Sequence, residues 1–494
     1  MLGCLPSWAQ KTIEYEAGMG RRDPANPDVW ILSRQVMARH ENMILYADSA
    51  HLDTRRNDVT AFGSVEIVLS DTTFIYGDYL VYDGTYRVVN IWDDTVRFID
   101  GATELRTDHL AYDRGASRAS YDRWGVAVNG VDTLESSRGY YFADAKQFYI
   151  FDDVQLRDTA SWLETDTLLY NTESAKAEFV SPTYIYSDST ILYSETGHYL
   201  LRQQVAHSTR ASRVLNRHRQ LSCDTLHYNE RSQTGLASGH VVILDTAAHL
   251  TCYGRHGFTD QRRRLSWVTD SALVVYVDSV DTLYVHADTL RVGNGDGERL
   301  DWLSASRGVR LFRGDVQAVC DSAYYSAADS LLTLYEQPVV WNEHYQVTSD
   351  TLRLRLAGRS VSQAMLLGNV LVAEQLDALK FNQIKGNNAY VYFRDGEPHF
   401  ADILGNAQMV YYITEQASDS SVAELIGVNV GVGSDMRIYF LRRQPDRVVT
   451  YGEPDMQTYP PAQLPVDKRY LAGFKWQDDR RPKSPADVMR DERE

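Results

Sequence analysis

An aspartate recurs along this 494-residue chain at positions 48, 78, 108, 144, 166, 224, 270, 288, 321 and 350. Carboxylates repeated in this way could serve as general acids and bases, or as calcium ligands. Paired acid chemistry needs two carboxylates in distinct environments at one site. A repeating calcium site needs several oxygen ligands per turn and glycine-rich loops. Here each copy offers one Asp, usually followed by Thr or Ser, which suits a turn cap whose carboxylate accepts backbone N–H groups. Neighbours such as Asp93-Asp94 and Asp152-Asp153 are expected on opposite faces of a strand, unable to act jointly.

Other reactive residues are equally dispersed. Cys223 and Cys320 stand just before a repeat Asp, a slot held elsewhere by Ala47, Gly77, Thr107, Thr165, Ala287 and Ser349. They therefore read as small buried residues rather than ligands. Cys252 could pair with one of them only in an oxidising compartment. His51, His109 and His227 fall at solvent-alternating strand positions. The glycine-rich GNGDG at 293–297 lies between strands rather than before a helix, and reads as a loop. No nucleophile elbow, phosphate-cradling loop or metalloprotease His pair occurs. Catalytic residues, metal ligands and cofactors are accordingly expected to be none, and the chain is read as a non-enzyme.

The elements that carry these residues follow from their interval. The first three aspartates are thirty residues apart, and Asp321 and Asp350 twenty-nine, a period that marks a solenoid or array. A valine opens a second run within each unit, as Val65 in FGSVEIVLSD, Val96 in DTVRFIDG and Val126 in WGVAVNG. Both runs alternate with period two. In DYLVYDG, Asp78, Leu80 and Tyr82 are expected on one face, with Tyr79 and Val81 on the other. Clusters such as TRRND and DGTYR between runs supply turn chemistry. The chain is predicted to be all-β. Its 32 tyrosines against 8 lysines suit pleated sheets with a wet face. A formal net charge of −17 argues against nucleic acid as a partner.

Four segments are expected. Residues 1–9 read as the remnant of a signal peptide with cleavage after Ala9. Residues 10–200 and 201–415 form one continuous β trough or two tandem ones, with the interrupting stretch 197–220 as the boundary candidate. Residues 416–494 hold seven of the thirteen prolines and read as a cap or docking extension with a small mixed tail.

The D-x-[LA]-x-Y runs, followed by G-x-V runs such as FGSVEIV, SGHVVIL and LGNVLVA, resemble the organic-solvent-tolerance, or OstA-like, family. The resemblance spans about residues 40–415, and the segments NVGVGSDMRIYFL, LAGFKW and DDRRPKSPADV resemble the tail of its longer members. It implies a twisted β-jellyroll of solenoid-like repeats, open at its ends, that shelters acyl chains. The implied role is a periplasmic lipopolysaccharide (lipid A) binding and transport protein, a bridge or scaffold in outer-membrane assembly. Implied partners are lipopolysaccharide or lipid A, other envelope transport proteins by edge-strand pairing, and copies of itself head to tail. On that reading the acyl-facing lining is Val65, Ile67, Leu80, Tyr82, Val96, Phe98, Leu110, Tyr112, Leu168 and Tyr170. The competing readings are a β-solenoid scaffold or adhesin of the cell envelope with a solid interior, and a carbohydrate-active solenoid with acids and aromatics gathered on one exposed face.

Overall fold

The computed structural model describes residues 12–188, 190–279, 281–295, 299–358, 360–416 and 423–490; the expected signal remnant lies outside them. The chain is an all-β stack of antiparallel strands, as its periodicity predicts. Helical structure among the described residues is confined to three short 3-10 turns in the C-terminal segment, the last being Pro485–Met489. Contacts divide the chain into two compact units, Met1–Arg217 with Asp224–Arg231, and His218–Cys223 with Ser232–Glu494.

In the first unit, successive strands such as Met43–Asp53, Asp58–Val68, Thr73–Asp83 and Val88–Asp100 pair in sequence order. Each bends at its middle, where the register jumps: between Tyr46 and Ser49, Phe62 and Val65, and Tyr76 and Tyr79. These bulges line up across the stack into a seam. Each of these long strands is thereby folded into two arms that face each other across a trough.

The seam explains both repeated signals. The G-x-V run is a corner in which Gly63 and Ser64 both take the left-handed conformation, φ 73° and 45°. Gly239-His240 and Gly368-Asn369 repeat the pair. Glycine suits the first place because it reaches positive φ without steric cost. The small residue before the repeat Asp points inward at the facing corner: Ala47, Thr107, Ala287 and Ser349 are buried, as are Cys223 and Cys320. Cys252 and Cys320 are free thiols, and burial pushes both up to about 12.

Two sequence expectations are corrected by this seam. Asp78 does not share a face with Leu80 and Tyr82: the bulge puts it outside with Tyr79 while Gly77, Leu80 and Tyr82 are buried. Asp152 and Asp153 do not alternate across a strand; both are left-handed, φ 62° and 54°, in a corner. Turn capping also belongs to another residue. Asp53 Oδ1 accepts the backbone N–H of Arg55 and Arg56 at 3.0 and 2.9 Å. Asp83 takes Thr85 and Tyr86, and Asp113 takes Gly115 and Ala116, in the same way. The marker Asp five positions earlier serves the corner instead, as when Asp350 accepts Asn369 Nδ2 at 3.0 Å.

Outside the first unit's seam, aromatic side chains form a cross-strand ladder through His51, Phe62, Tyr79, Trp92 and His109, with centroid steps of 5.3, 5.5, 5.3 and 4.7 Å. Part of the tyrosine excess is spent here.

The second unit continues the bent-strand pattern through strands such as Leu300–Arg313, Val316–Ser326, Ser360–Gln375 and Phe381–Arg394. Strands extend through Asp455–Tyr459. Beyond it, the chain becomes a strap across the outer face of one arm. Gln383 Nε2 donates to the Arg469 carbonyl at 2.9 Å, and Gln346 Nε2 to that of Lys475 at 2.7 Å. Arg481 Nε donates to Gln317 Oε1 at 2.8 Å. Gln317, Gln346 and Gln383 are all buried, so this column of amides meets strap backbone and the Arg481 side chain in place of water. Phe381 packs on Phe474 and Trp476 at 5.0 and 5.1 Å, and Leu464 joins Val410, Tyr412 and Val428 in a small core.

Candidate functional site: the concave faces

The inward faces of the two units differ, although one strand pattern builds both. In the first unit, Leu80 is fixed opposite Ile91 and Ala61, and Leu110 opposite Ile91, by the register. Val65, Ile67, Leu80, Val96, Phe98, Leu110, Leu168 and Tyr170 are at most 2% exposed, Tyr82 1% and Tyr112 5%. All ten sequence-predicted lining residues are thus buried. Phe98 touches Tyr112 and Tyr141, each at 5.7 Å between centroids.

The mouth of this first trough is fastened by polar contacts between its arms. Tyrosines 82, 112, 141, 170, 199 and 228 form an inward column at intervals of 30 and 29 residues. Tyr82 Oη meets His40 Nδ1 at 2.6 Å and accepts from Arg114 at 2.7 Å. Tyr141 Oη and Lys146 Nζ both donate to Asp100 Oδ2 at 2.7 Å. Tyr170 Oη donates to Asp132, and Tyr199 Oη lies 3.1 Å from Ser161 Oγ and donates to Glu230 Oε2 at 2.9 Å. Burial, reinforced by the facing carboxylates, pushes the Tyr141, Tyr170 and Tyr199 phenols well above their usual range. Burial likewise raises Glu230 to about 7.

The second unit's rungs are less enclosed. Register places Tyr325, Leu332, Leu354, Ala364 and Val391 in one inward row, and Ala318, Val340, Val347, Val372 and Ile384 in the other. Nearest the seam, Leu334, Leu352, Leu366 and Val370 are buried. Farther out, Tyr325, Leu332, Leu354 and Val391 on one arm, and Val340, Val347, Val372 and Ile384 on the other, are only half-buried. These eight apolar residues keep part of their surface accessible. Sequence reasoning passed over them because their period-two pattern matches that of the closed unit. The signal available was a missing tyrosine: Leu354, four residues after Asp350, stands where the first unit's rungs carry Tyr, as Tyr82 stands four after Asp78.

An outer groove of about 950 Å³ in the first unit gathers Trp162, Tyr186, Ile191 and Leu215. Its Asp158 is occupied as a turn cap, accepting the N–H of Ala160 and Ser161 at 2.7 and 2.6 Å. Among the described residues, no three His, Cys, Asp or Glu side chains converge as a metal site, and no helix is long and apolar enough to cross a membrane.

Comparison with known proteins places the N-terminal part of this architecture. Residues 12–166 match the family model described as OstA-like protein. No curated protein matches the chain significantly. Among solved structures, the chain is similar to LptH of Pseudomonas aeruginosa, described as the LptA-homologous periplasmic component of the conserved lipopolysaccharide transport device. That alignment covers 35% of this chain and 84% of LptH, at 12% identity and a TM-score of 0.11.

Proposed function

We propose, from the OstA-like character of residues 12–166, that this chain is a non-enzymatic lipid-handling protein of the lipopolysaccharide-transport class, working in the periplasm. Its ligand is the acyl portion of lipopolysaccharide or lipid A. Each methylene exposed to water costs about 0.8 kcal/mol, so a chain of about a dozen carbons needs roughly 10 kcal/mol of shelter. A groove of similar apolar rungs supplies that shelter without direction, and no single rung traps the lipid. Other envelope transport proteins, or further copies of this chain, are the proposed partners through unpaired strand edges.

The observation that carries this reading is the row of half-buried apolar rungs in the second unit, from Tyr325 to Val391. The packed and fastened first unit supports a second role there, that of scaffold. The ten sequence-predicted residues then line the lipid path only if the tyrosine fastenings open.

The test places a photo-crosslinking amino acid at Leu354, Val347, Leu110 or the exposed turn residue Arg56, irradiates cells, and seeks lipid A adducts by mass spectrometry. Adducts at Leu354 and Val347 alone support a path in the second unit. An added adduct at Leu110 extends it into the first. A folded, exported chain that gives none at any interior position sinks the lipid reading and leaves a structural scaffold.

A further inference from the structure

Three imidazoles stand side by side on the outer face of the first unit. Strands Thr196–Leu200, Val205–Arg210 and Thr225–Asn229 pair with His198 opposite His207 and His207 opposite His227. Each histidine adjoins a buried inward residue, Tyr199, Ala206 and Tyr228 respectively, so strand alternation turns the imidazoles to the other side. His198 and His207 are half-buried and His227 is exposed. Their ring centroids are 4.7 and 4.4 Å apart along the row. We propose that His207 and His227 together bind a divalent transition-metal ion of the zinc, nickel or copper class.

The spacing of the donor atoms carries the proposal. His207 Nδ1 and His227 Nδ1 are 3.2 Å apart, on rings tilted by 52°. A metal held at about 2.0–2.1 Å from each nitrogen would see the two at an angle of roughly 100°, near the tetrahedral value. Imidazole nitrogen suits zinc, copper and nickel, whereas calcium and magnesium take oxygen ligands. Without the ion, one ring donates its Nδ1 proton to the other. The ion takes the place of that proton once both rings carry theirs on Nε2.

The rest of the row defines what else can reach the ion. His198 lies face to face on His207, with 25° between their planes, and so buttresses that ring rather than aiming a nitrogen at the pair. Glu178 comes next, opposite His198, and is paired with Lys176. Among the described residues no third protein donor converges, so water completes the coordination. The ion clips together two strands whose ligands are 20 residues apart, and it should stabilise the fold as far as it is bound. The site faces away from the inward tyrosine column and does not depend on a lipid path.

Zinc chloride is titrated calorimetrically into the full chain, free of any polyhistidine tag, and into His207→Gln, His227→Gln and the remote exposed control His344→Gln, with melting curves confirming folding. Saturable binding of a single ion is expected in the native chain and the control, weakened about tenfold or more in each of the other two. Zinc should raise the melting temperature only of the chains that bind it. A measurement on the native chain needs no variant to fold: a zinc-bound imidazole has no bare nitrogen left, so zinc should protect His207 and His227, and not His344, from diethyl pyrocarbonate. No saturable binding to the native chain, undiminished affinity in folded His207→Gln or His227→Gln, an equal loss in the control, or no protection of the pair overturns the proposal. The row is then an aromatic ladder held by stacking and one hydrogen bond.

Discussion

Tyr141 on one arm of the first trough donates its hydroxyl to Asp100 Oδ2 on the other at 2.7 Å, and the Asp100 side chain is only 2% exposed. The same carboxylate receives Lys146 Nζ, also at 2.7 Å. The mouth is thus closed by a buried acid whose oxygens need partners once water is excluded. Tyr141→Phe removes one donor and leaves the ring packing in place. The expected loss is about 1–3 kcal/mol of stability in urea unfolding. Tyr86→Phe, at a side chain that is 77% exposed, serves as the control and should change nothing measurable.

The left-handed glycines, one at a corner and one in a hairpin turn, should be unequal in their tolerance of a side chain. A Cβ on Gly63, φ 73°, would lie 2.6 Å from Asp48 Oδ2, whereas one on Gly101, φ 61°, meets nothing within 4 Å. Gly101→Ala therefore carries the cost of left-handed backbone alone, about 1 kcal/mol, and Gly63→Ala adds steric overlap to it. Denaturation midpoints should fall further for Gly63→Ala. Equal losses would mean that Asp48 moves aside freely and that the marker aspartate does not brace the corner.

Glu230 gives the first unit a dependence on pH. Its carboxyl is raised to about 7, chiefly by burial, above the ordinary 4.5. A folded-state pKa above the unfolded one means that the protonated acid favours folding. That contribution is complete below about pH 4.5 and is lost as pH rises through about 7. Glu230→Gln keeps a neutral group beside Tyr199 at every pH. Melting temperatures should be close for variant and native chain at pH 4.5, with the variant higher at pH 8. A variant less stable at pH 8 would show that the charged form is the one the fold prefers.

The strap should be loosened from a single buried amide. Gln346 is 0% exposed, donates to the Lys475 carbonyl and accepts the Gln477 N–H, both at 2.7 Å. Gln346→Ala leaves both strap groups without this partner, at a cost of about 1–3 kcal/mol. Limited proteolysis should then cut between residues 461 and 490 sooner than in the native chain, and amide exchange should rise at Gln477. A cleavage pattern identical to the native one would show that the strap's other contacts, at Gln317, Gln383, Phe381 and Leu464, hold it without Gln346.

The all-β class, the period near thirty and the inward side of Leu80, Tyr82, Leu110 and Tyr170 were legible in the sequence. Strand alternation and turn residues are local properties, and each copy repeats them. The sequence also marked some corners, since G-x-V recurs where Gly63-Ser64, Gly239-His240 and Gly368-Asn369 turn left-handed. Their geometry was not legible. A bulge shifts the alternation by one residue, so Asp78 leaves the face that simple counting assigns it, and the capping role falls to Asp83. Whether an inward rung is closed or open was decided only by the tertiary structure. Leu110 and Leu354 carry the same kind of side chain in the same kind of strand. What separates them is their surroundings in the whole stack, where polar groups meet across the first unit's arms, such as Tyr141 with Asp100. Those partners lie 41 residues apart, as the strap and Gln346 lie more than a hundred apart. Pairings at that range arise from packing the whole stack, and no local pattern encodes them.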